Sequence, residues 1–300
     1  MRRFVRWAIF LAILGLPVFW WVTRPQFAVE ADVAALSGDV LRGERIFYAG
    51  GCASCHAAKD ATGADKLKLG GGLGFVTEFG TFYAPNISPH ETGIGGWSAY
   101  DLVNAMKHGV SPDGQHYYPA FPYASYAKAD MSDIVDLKAF MDTLEPVDLV
   151  NKEHEIGFPF NIRRTLGGWK FLFVDMDWVI ETDDERVAKG RYLVEALGHC
   201  SECHTSRNLL GGLKLDKWMA GGPNPDGKGR IPNITPHESG LAGWSEAEII
   251  EYLYTGFTPD FDVAGGSMAD VVLNTGELTD EDRSAIAAYL KVLPALPRVE

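Results

Sequence analysis

The stretches Cys52-Ala53-Ser54-Cys55-His56 and Cys200-Ser201-Glu202-Cys203-His204 decide how this 300-residue chain is read. Cys-X-X-Cys followed directly by His is the attachment signal for a c-type haem. Each thiol pair can form two thioether bonds to haem vinyl groups, which places the adjacent imidazole under the iron as its fifth ligand. All four cysteines of the chain lie in these two motifs, so none is left for a disulfide. Other chemistries fit worse. Zinc-binding Cys pairs usually lie tens of residues apart, and these are separated by 144. A thioredoxin-like site needs one pair and a preceding strand, and gives no reason for the histidine. The motifs therefore predict two covalently bound haem c groups, held by Cys52, Cys55 and His56 and by Cys200, Cys203 and His204.

Outward from the motifs, the chain repeats itself. Gly43-Glu44-Arg45-Ile46-Phe47 matches Gly190-Arg191-Tyr192-Leu193-Val194 at an offset of 147, and the motifs follow at 148, so one residue is inserted before the second. The offset returns to 147 for Asn86-Ile87-Ser88-Pro89-His90-Glu91 with Asn233-Ile234-Thr235-Pro236-His237-Glu238, for Trp97-Ser98 with Trp244-Ser245 and for Gly109 with Gly256. A register held over that length fixes two homologous modules, residues 35–146 and 183–300. Residues 147–182 match neither and read as a connecting strap, rich in aromatics and carrying Arg163, Arg164 and Lys170. It is expected either to pack across both modules or to present a docking surface for a partner or the bilayer.

The modules read as mainly helical. A short helix around Leu41–Tyr48 runs into the first motif. Ser98 and Ser245 are placed to cap central helices, and Thr279-Asp280-Glu281-Asp282 opens a last helix with a capping-box pattern. Long Gly- and Pro-rich loops lie between motif and central helix, suited to wrapping a cofactor that replaces part of the core.

This pattern resembles the class I cytochrome c fold: mainly α, two tandem domains following a single N-terminal membrane helix. The resemblance implies that Gly43 meets Phe140, and Gly190 meets Tyr289, where first and last helices cross. It also implies that the carbonyls of Pro85 and Pro232 accept hydrogen bonds from His56 and His204. The two Asn-Ile-Ser/Thr-Pro-His-Glu segments and Tyr118-Pro119-Ala120-Phe121-Pro122-Tyr123 are similar to the cytochrome c subunits of membrane-bound alcohol and other periplasmic dehydrogenases. Those usually carry three haems, and this chain has two motifs.

The sixth iron ligands are expected to differ. Gly265-Gly266-Ser267-Met268 supplies a thioether for the second haem. Subtracting 147 from Met268 gives Phe121, which cannot bind iron. The first haem then takes Met131 or His116, or is left water-bound or five-coordinate. His90 and His237 read as loop histidines bonded to neighbours.

The first 24 residues pair Arg2, Arg3 and Arg6 with an apolar run from Trp7 to Val22. The arginines favour the cytoplasmic side and send the rest outward. A signal-anchor in the bacterial inner membrane with periplasmic haem domains is expected, with a cleaved signal peptide and a soluble periplasmic protein as the alternative. The net charge of −13 disfavours nucleic acid as a partner. The function implied is electron transfer, as the cytochrome subunit of a dehydrogenase complex passing electrons to quinone or another respiratory acceptor. The alternative is a haem enzyme of peroxidase or thiosulfate-oxidising type, using an open first haem.

Overall fold

The computed structural model describes residues 2–224 and 229–300. Its helices are α1 (Arg2–Val22), α2 (Glu30–Ala34), α3 (Val40–Ala49), α4 (Cys52–His56), α5 (Ala99–His108), α6 (Tyr123–Tyr126), α7 (Met131–Met141), α8 (Leu166–Phe173), α9 (Glu185–Arg191), α10 (Ser201–His204), α11 (Glu246–Thr255), α12 (Ser267–Thr275) and α13 (Asp280–Val292). Strands are few. Gly74–Thr77 (β1) and Gly80–Tyr83 (β2) form a hairpin in the first module's long loop, and the strap adds Glu155–Ile156 (β3) along β2. Gly222–Pro223 and Arg230–Ile231 pair in the second module. The loops are thus partly ordered by short antiparallel pairing, which their Gly-rich composition did not announce.

Each module is built on one helix crossing, α3 with α7 and α9 with α13. A glycine makes both possible. A Cβ on Gly43 would stand 2.0 Å from the Asp136 carbonyl oxygen and 2.8 Å from Phe140 Cβ; one on Gly190 would stand 1.9 Å from the Ala285 carbonyl oxygen and 2.9 Å from Tyr289 Cβ. Ser98, Ser245 and Thr279 each close a full capping box, and α5 and α11 end on left-handed Gly109 and Gly256.

The modules pack into one continuous core. Glu195, buried and between them, accepts hydrogen bonds from Lys128 at 2.8 Å, the Tyr289 hydroxyl at 2.7 Å and the Val179 amide at 3.0 Å. Asn274 of the second module donates to Ser54, inside the first motif, at 2.9 Å. Asp282 receives Lys189 at 2.6 Å and Arg45 of the other module at 3.2 Å. Burial works to raise the Asp282 pKa, but Lys189 and Thr279 outweigh it and the net shift is downward. A carboxyl lowered on folding stabilises above its unfolded value of about 3.9, and that contribution is lost as pH falls through the lower folded value. Asp282→Asn should therefore cost about 2 kcal/mol at neutral pH. Paired thermal melts should show the gap between variant and parent closing only below about pH 4.

The C-terminal end of α1 is locked into this body. The backbone of Thr23, 1% exposed, lies against Gly167 of α8, where a Cβ would approach the Thr23 carbonyl oxygen to 2.5 Å. Arg164 donates to the Thr23 hydroxyl and the Trp20 carbonyl at 2.9 and 2.7 Å. The strap also touches both modules. Trp169 packs edge-on against Tyr123 of the first and donates to the Leu210 carbonyl of the second. Lys170 is not a surface cation: it points inward and donates to the carbonyls of His108 and Gly109 and to His116 Nδ1. Burial pushes its amine down to about 7.

Among the described residues, no helix is long and apolar enough to cross a membrane. The apolar run expected to do so includes Ala8, Ile9, Leu11 and Ala12, whose side chains lie outside the described residues.

Candidate haem-attachment sites

Both motifs sit on a single helical turn that leaves the module's first helix through a left-handed residue. In the first module it is Gly51, at φ 60°, and the turn is α4. In the second it is His199, at φ 39°, and the turn is α10. The residue inserted before the second motif has a structural form. Tyr192–Leu197 is a π-helical turn, in which Gly198 N–H reaches the Leu193 carbonyl at 2.7 Å. One extra residue in a helix produces such a turn, and this one aims Glu195 into the interface between the modules.

The two imidazoles are oriented alike. His56 Nδ1 lies 2.8 Å from the Pro85 carbonyl oxygen and His204 Nδ1 lies 2.9 Å from that of Pro232. A ring whose Nδ1–H donates to a carbonyl is in the tautomer that leaves Nε2 with its lone pair, the nitrogen available to a metal. Burial lowers both histidines below their ordinary pKa, against the opposing pull of the proline carbonyls, which favours the neutral ring. Burial and then the neighbouring cysteine push Cys52, Cys55 and Cys200 up to about 12, 11 and 12. For Cys55 that neighbour is Cys203 of the other motif. Thiols held neutral in this way are unlike the low-pKa thiolate of a dithiol oxidoreductase. Among the described residues, no three His, Cys, Asp or Glu side chains converge as a metal site would require. Paired thiols beside an imidazole with a free Nε2, twice over, suit a haem c in each module.

The repeated Asn-Ile-Ser/Thr segment explains how the loop before the central helix is fixed. Asn86, 2% exposed, donates to Thr92 and to the carbonyls of Val147 and Leu149, and accepts from Ser88 N–H. Asn233 donates to Ser239 and the Leu296 carbonyl and accepts from Thr235. Each asparagine ties the segment following its proline to the chain beyond the last helix. The segment was recognisable from the repeat; its role was not, because the partners are backbone carbonyls about 60 residues away. His90 and His237 bond to Thr92 and Ser239, as expected of loop histidines.

The structure removes one sixth-ligand candidate. His116 is 3% exposed, and both ring nitrogens are taken: Nε2 by the Thr23 carbonyl at 2.9 Å and Nδ1 by Lys170 at 3.0 Å. It belongs to the lock on α1. Phe121 packs against Tyr117, Tyr123 and Tyr126. Met131 is the first residue of α7 and Met268 the second of α12, both partly buried. The register changes close to Phe121 and Met268. Tyr117 and Ala264 still correspond at 147, since their amides reach the carbonyls of Gly109 and Gly256. Beyond this point the offset is 149: Gly109 faces Tyr123, whereas Gly256 faces Val272. Two residues are inserted between these points, in the stretch where the second module has α12, bearing Met268, and the first has Phe121 and the shorter α6.

The comparisons with known proteins follow this architecture. The cytochrome c family model matches residues 40–145 and 187–294. A diheme cytochrome c-type protein of Cereibacter sphaeroides is 54% identical over 298 residues, covering 99% of this chain and all of that protein. The fructose dehydrogenase cytochrome subunit of Gluconobacter japonicus is 36% identical over 91% of this chain, and the gluconate 2-dehydrogenase cytochrome c subunit of Pantoea cypripedii is 37% identical over 90%. The chain spans only 56% and 63% of the lengths of those two subunits. With two matching domains and a full-length diheme relative, the chain belongs to the cytochrome c family and carries two covalently bound haem c groups.

Proposed function

We propose that the protein is a membrane-anchored relay on the periplasmic side, taking electrons from the catalytic subunit of a dehydrogenase and passing them to quinone or another respiratory acceptor. Cys52, Cys55, Cys200 and Cys203 carry the thioethers, His56 and His204 bind iron on one side, and Met268 completes the second site. The observation that carries the reading is the packing of the motifs against each other. Ser54 of one module bonds Asn274 of the other, Gly50 beside the first motif meets His199 beside the second at 3.3 Å, and Cys55 and Cys203 are neighbours. Groups attached at these cysteines lie close across the interface, the arrangement a relay needs. Haem supplies the one-electron chemistry when bound; the chain positions it, orients its histidines and shields it from water. The dehydrogenase partner is supported by the likeness to cytochrome subunits of such enzymes. The anchor is supported by the Arg2, Arg3 and Arg6 cluster ahead of an apolar stretch whose Phe10, Leu14 and Leu16 stay exposed.

Redox titration of the purified protein, repeated under carbon monoxide and with peroxide present, tests this reading. Two reversible one-electron waves without peroxide turnover are expected. Sustained peroxide reduction at the first haem would replace the relay with an enzyme.

A further inference from the structure

Three stretches of this acidic chain contain no Asp or Glu: residues 1–29, 156–174 and 203–215. Of the nine Lys and Arg they hold, Arg2, Arg3 and Arg6 stand at the far end of α1, Lys170 points inward and Arg207 pairs with Glu202, which leaves Arg24, Arg163, Arg164 and Lys214 beside the strap; the remainder of the chain carries 18 Lys and Arg against all 40 Asp and Glu. Far apart in sequence, they meet in the fold. Thr23 is seated on Gly167 and held by Arg164. Trp169 donates to the Leu210 carbonyl, and the Phe173 ring covers Gly212, where a Cβ would lie 2.4 Å from it.

These segments also expose large apolar side chains. Phe158 is 82% exposed, Phe171 69%, Leu172 63% and Leu209 92%. Helix α8 is two-sided: Leu166, Gly167 and Lys170 face the body, and Phe171 and Leu172 face out. Exposed apolar residues gathered in one zone mark a docking surface. Its charge selects the occupant. A partner with a basic docking patch would be met by the −22 remainder of the molecule, not by this zone. An anionic bilayer surface is attracted by basic residues flanking an apolar face and accepts the aromatics at headgroup depth.

We propose that the strap face formed by Phe158, Phe171, Leu172 and Leu209 is a second membrane contact, inserting shallowly into an anionic phospholipid bilayer beside α1. The proposal rests on reading α1 as the anchor. The lock at Thr23 then matters mechanically. With no free linker between α1 and α8, the helix exit and the strap face are fixed relative to each other. Two contacts on one rigid body hold the haem modules in one orientation at the membrane, so that the same edge always faces a lipid-soluble acceptor.

Spin labelling of the full haem-loaded chain tests this directly, because thioether formation leaves an introduced cysteine as the only free thiol. Nitroxides at Phe158→Cys, Leu172→Cys and Leu14→Cys would be measured in nanodiscs of phosphatidylglycerol and phosphatidylcholine, comparing accessibility to oxygen and to a water-soluble nickel chelate. The expected result is a several-fold rise in the oxygen-to-nickel ratio at 158 and 172 over the lipid-free protein, with the label at 14 fully shielded from nickel. If 158 and 172 stay open to nickel while 14 is shielded, the strap contact is overturned and the anchor stands. Nickel access at 14 overturns the anchor reading and the proposal with it. Protection at 158 and 172 only on adding a dehydrogenase catalytic subunit assigns the face to protein and likewise overturns the membrane contact.

Discussion

Gly190→Ala is expected to give little or no folded dihaem protein, the largest stability loss of any single methyl group added to this chain. The new Cβ would lie 1.9 Å from the Ala285 carbonyl oxygen and 2.9 Å from Tyr289 Cβ. The first contact is with backbone, so no rotamer change relieves it; α9 and α13 must separate. Overpacking a core usually costs about 1–3 kcal/mol. Here the cost is expected to exceed that range, because separation also pulls Tyr289 from Glu195 and Trp218. Glu195 would then keep Lys128 and the Val179 amide while losing the Tyr289 hydroxyl in a buried site, where unmatched polar groups cost about 1–3 kcal/mol each. Gly43→Ala meets the Asp136 carbonyl oxygen at 2.0 Å and should behave alike. Gly96→Ala is the control, since nothing lies within 4 Å of a Cβ there. Haem content by absorbance and the midpoint of denaturant unfolding are the measurements. A Gly190→Ala protein recovered with two haems and a midpoint near that of Gly96→Ala would show that the helices do not cross this closely.

Those glycines were legible in the sequence because they match the pattern of class I cytochromes c, and the repeat supplies the match twice. The proline carbonyls were legible for the same reason. What the sequence hid depends on contacts between distant segments. His116 looked like a candidate ligand in a turn; only the fold brings Thr23 and Lys170 to its two nitrogens. Lys170 looked like a surface cation because nothing local marks the carbonyls of His108 and Gly109 as its acceptors. The inserted residue was visible as a change of offset, yet its π-helical form and the buried Glu195 it aims inward depend on the opposite module. The second change of offset, between Tyr117 and Tyr123, was invisible because no identical residues span it. It gives the second module a longer helix bearing Met268 where the first has Phe121 and the shorter α6.

That difference sets the expected behaviour of the haems. Met268→Leu should lower the potential of the second haem by at least about 0.1 V, within the ~0.8 V that axial ligands span, and leave the first nearly unchanged. A thioether favours ferrous iron and raises the potential; removing it leaves an iron with one histidine and an open face. Leucine is close to methionine in volume and tolerated in packed sites at under about 1.5 kcal/mol, so unfolding should not mimic the shift. The ferric charge-transfer band of sulfur-ligated haem should lose the second haem's share, and ferrous haem two should begin to bind carbon monoxide. Met268→His restores six-coordination with a second nitrogen, so it should abolish carbon monoxide binding while keeping the potential low. This pair separates ligand chemistry from disturbed packing, which both variants would share. Met131→Leu, read the same way, reports on the first haem. An unchanged second potential in Met268→Leu would remove Met268 from the iron and, with it, the argument for direction: a thioether-bound second haem lies downhill from a first haem that lacks a thioether, so that electrons entering at His56 would collect at His204.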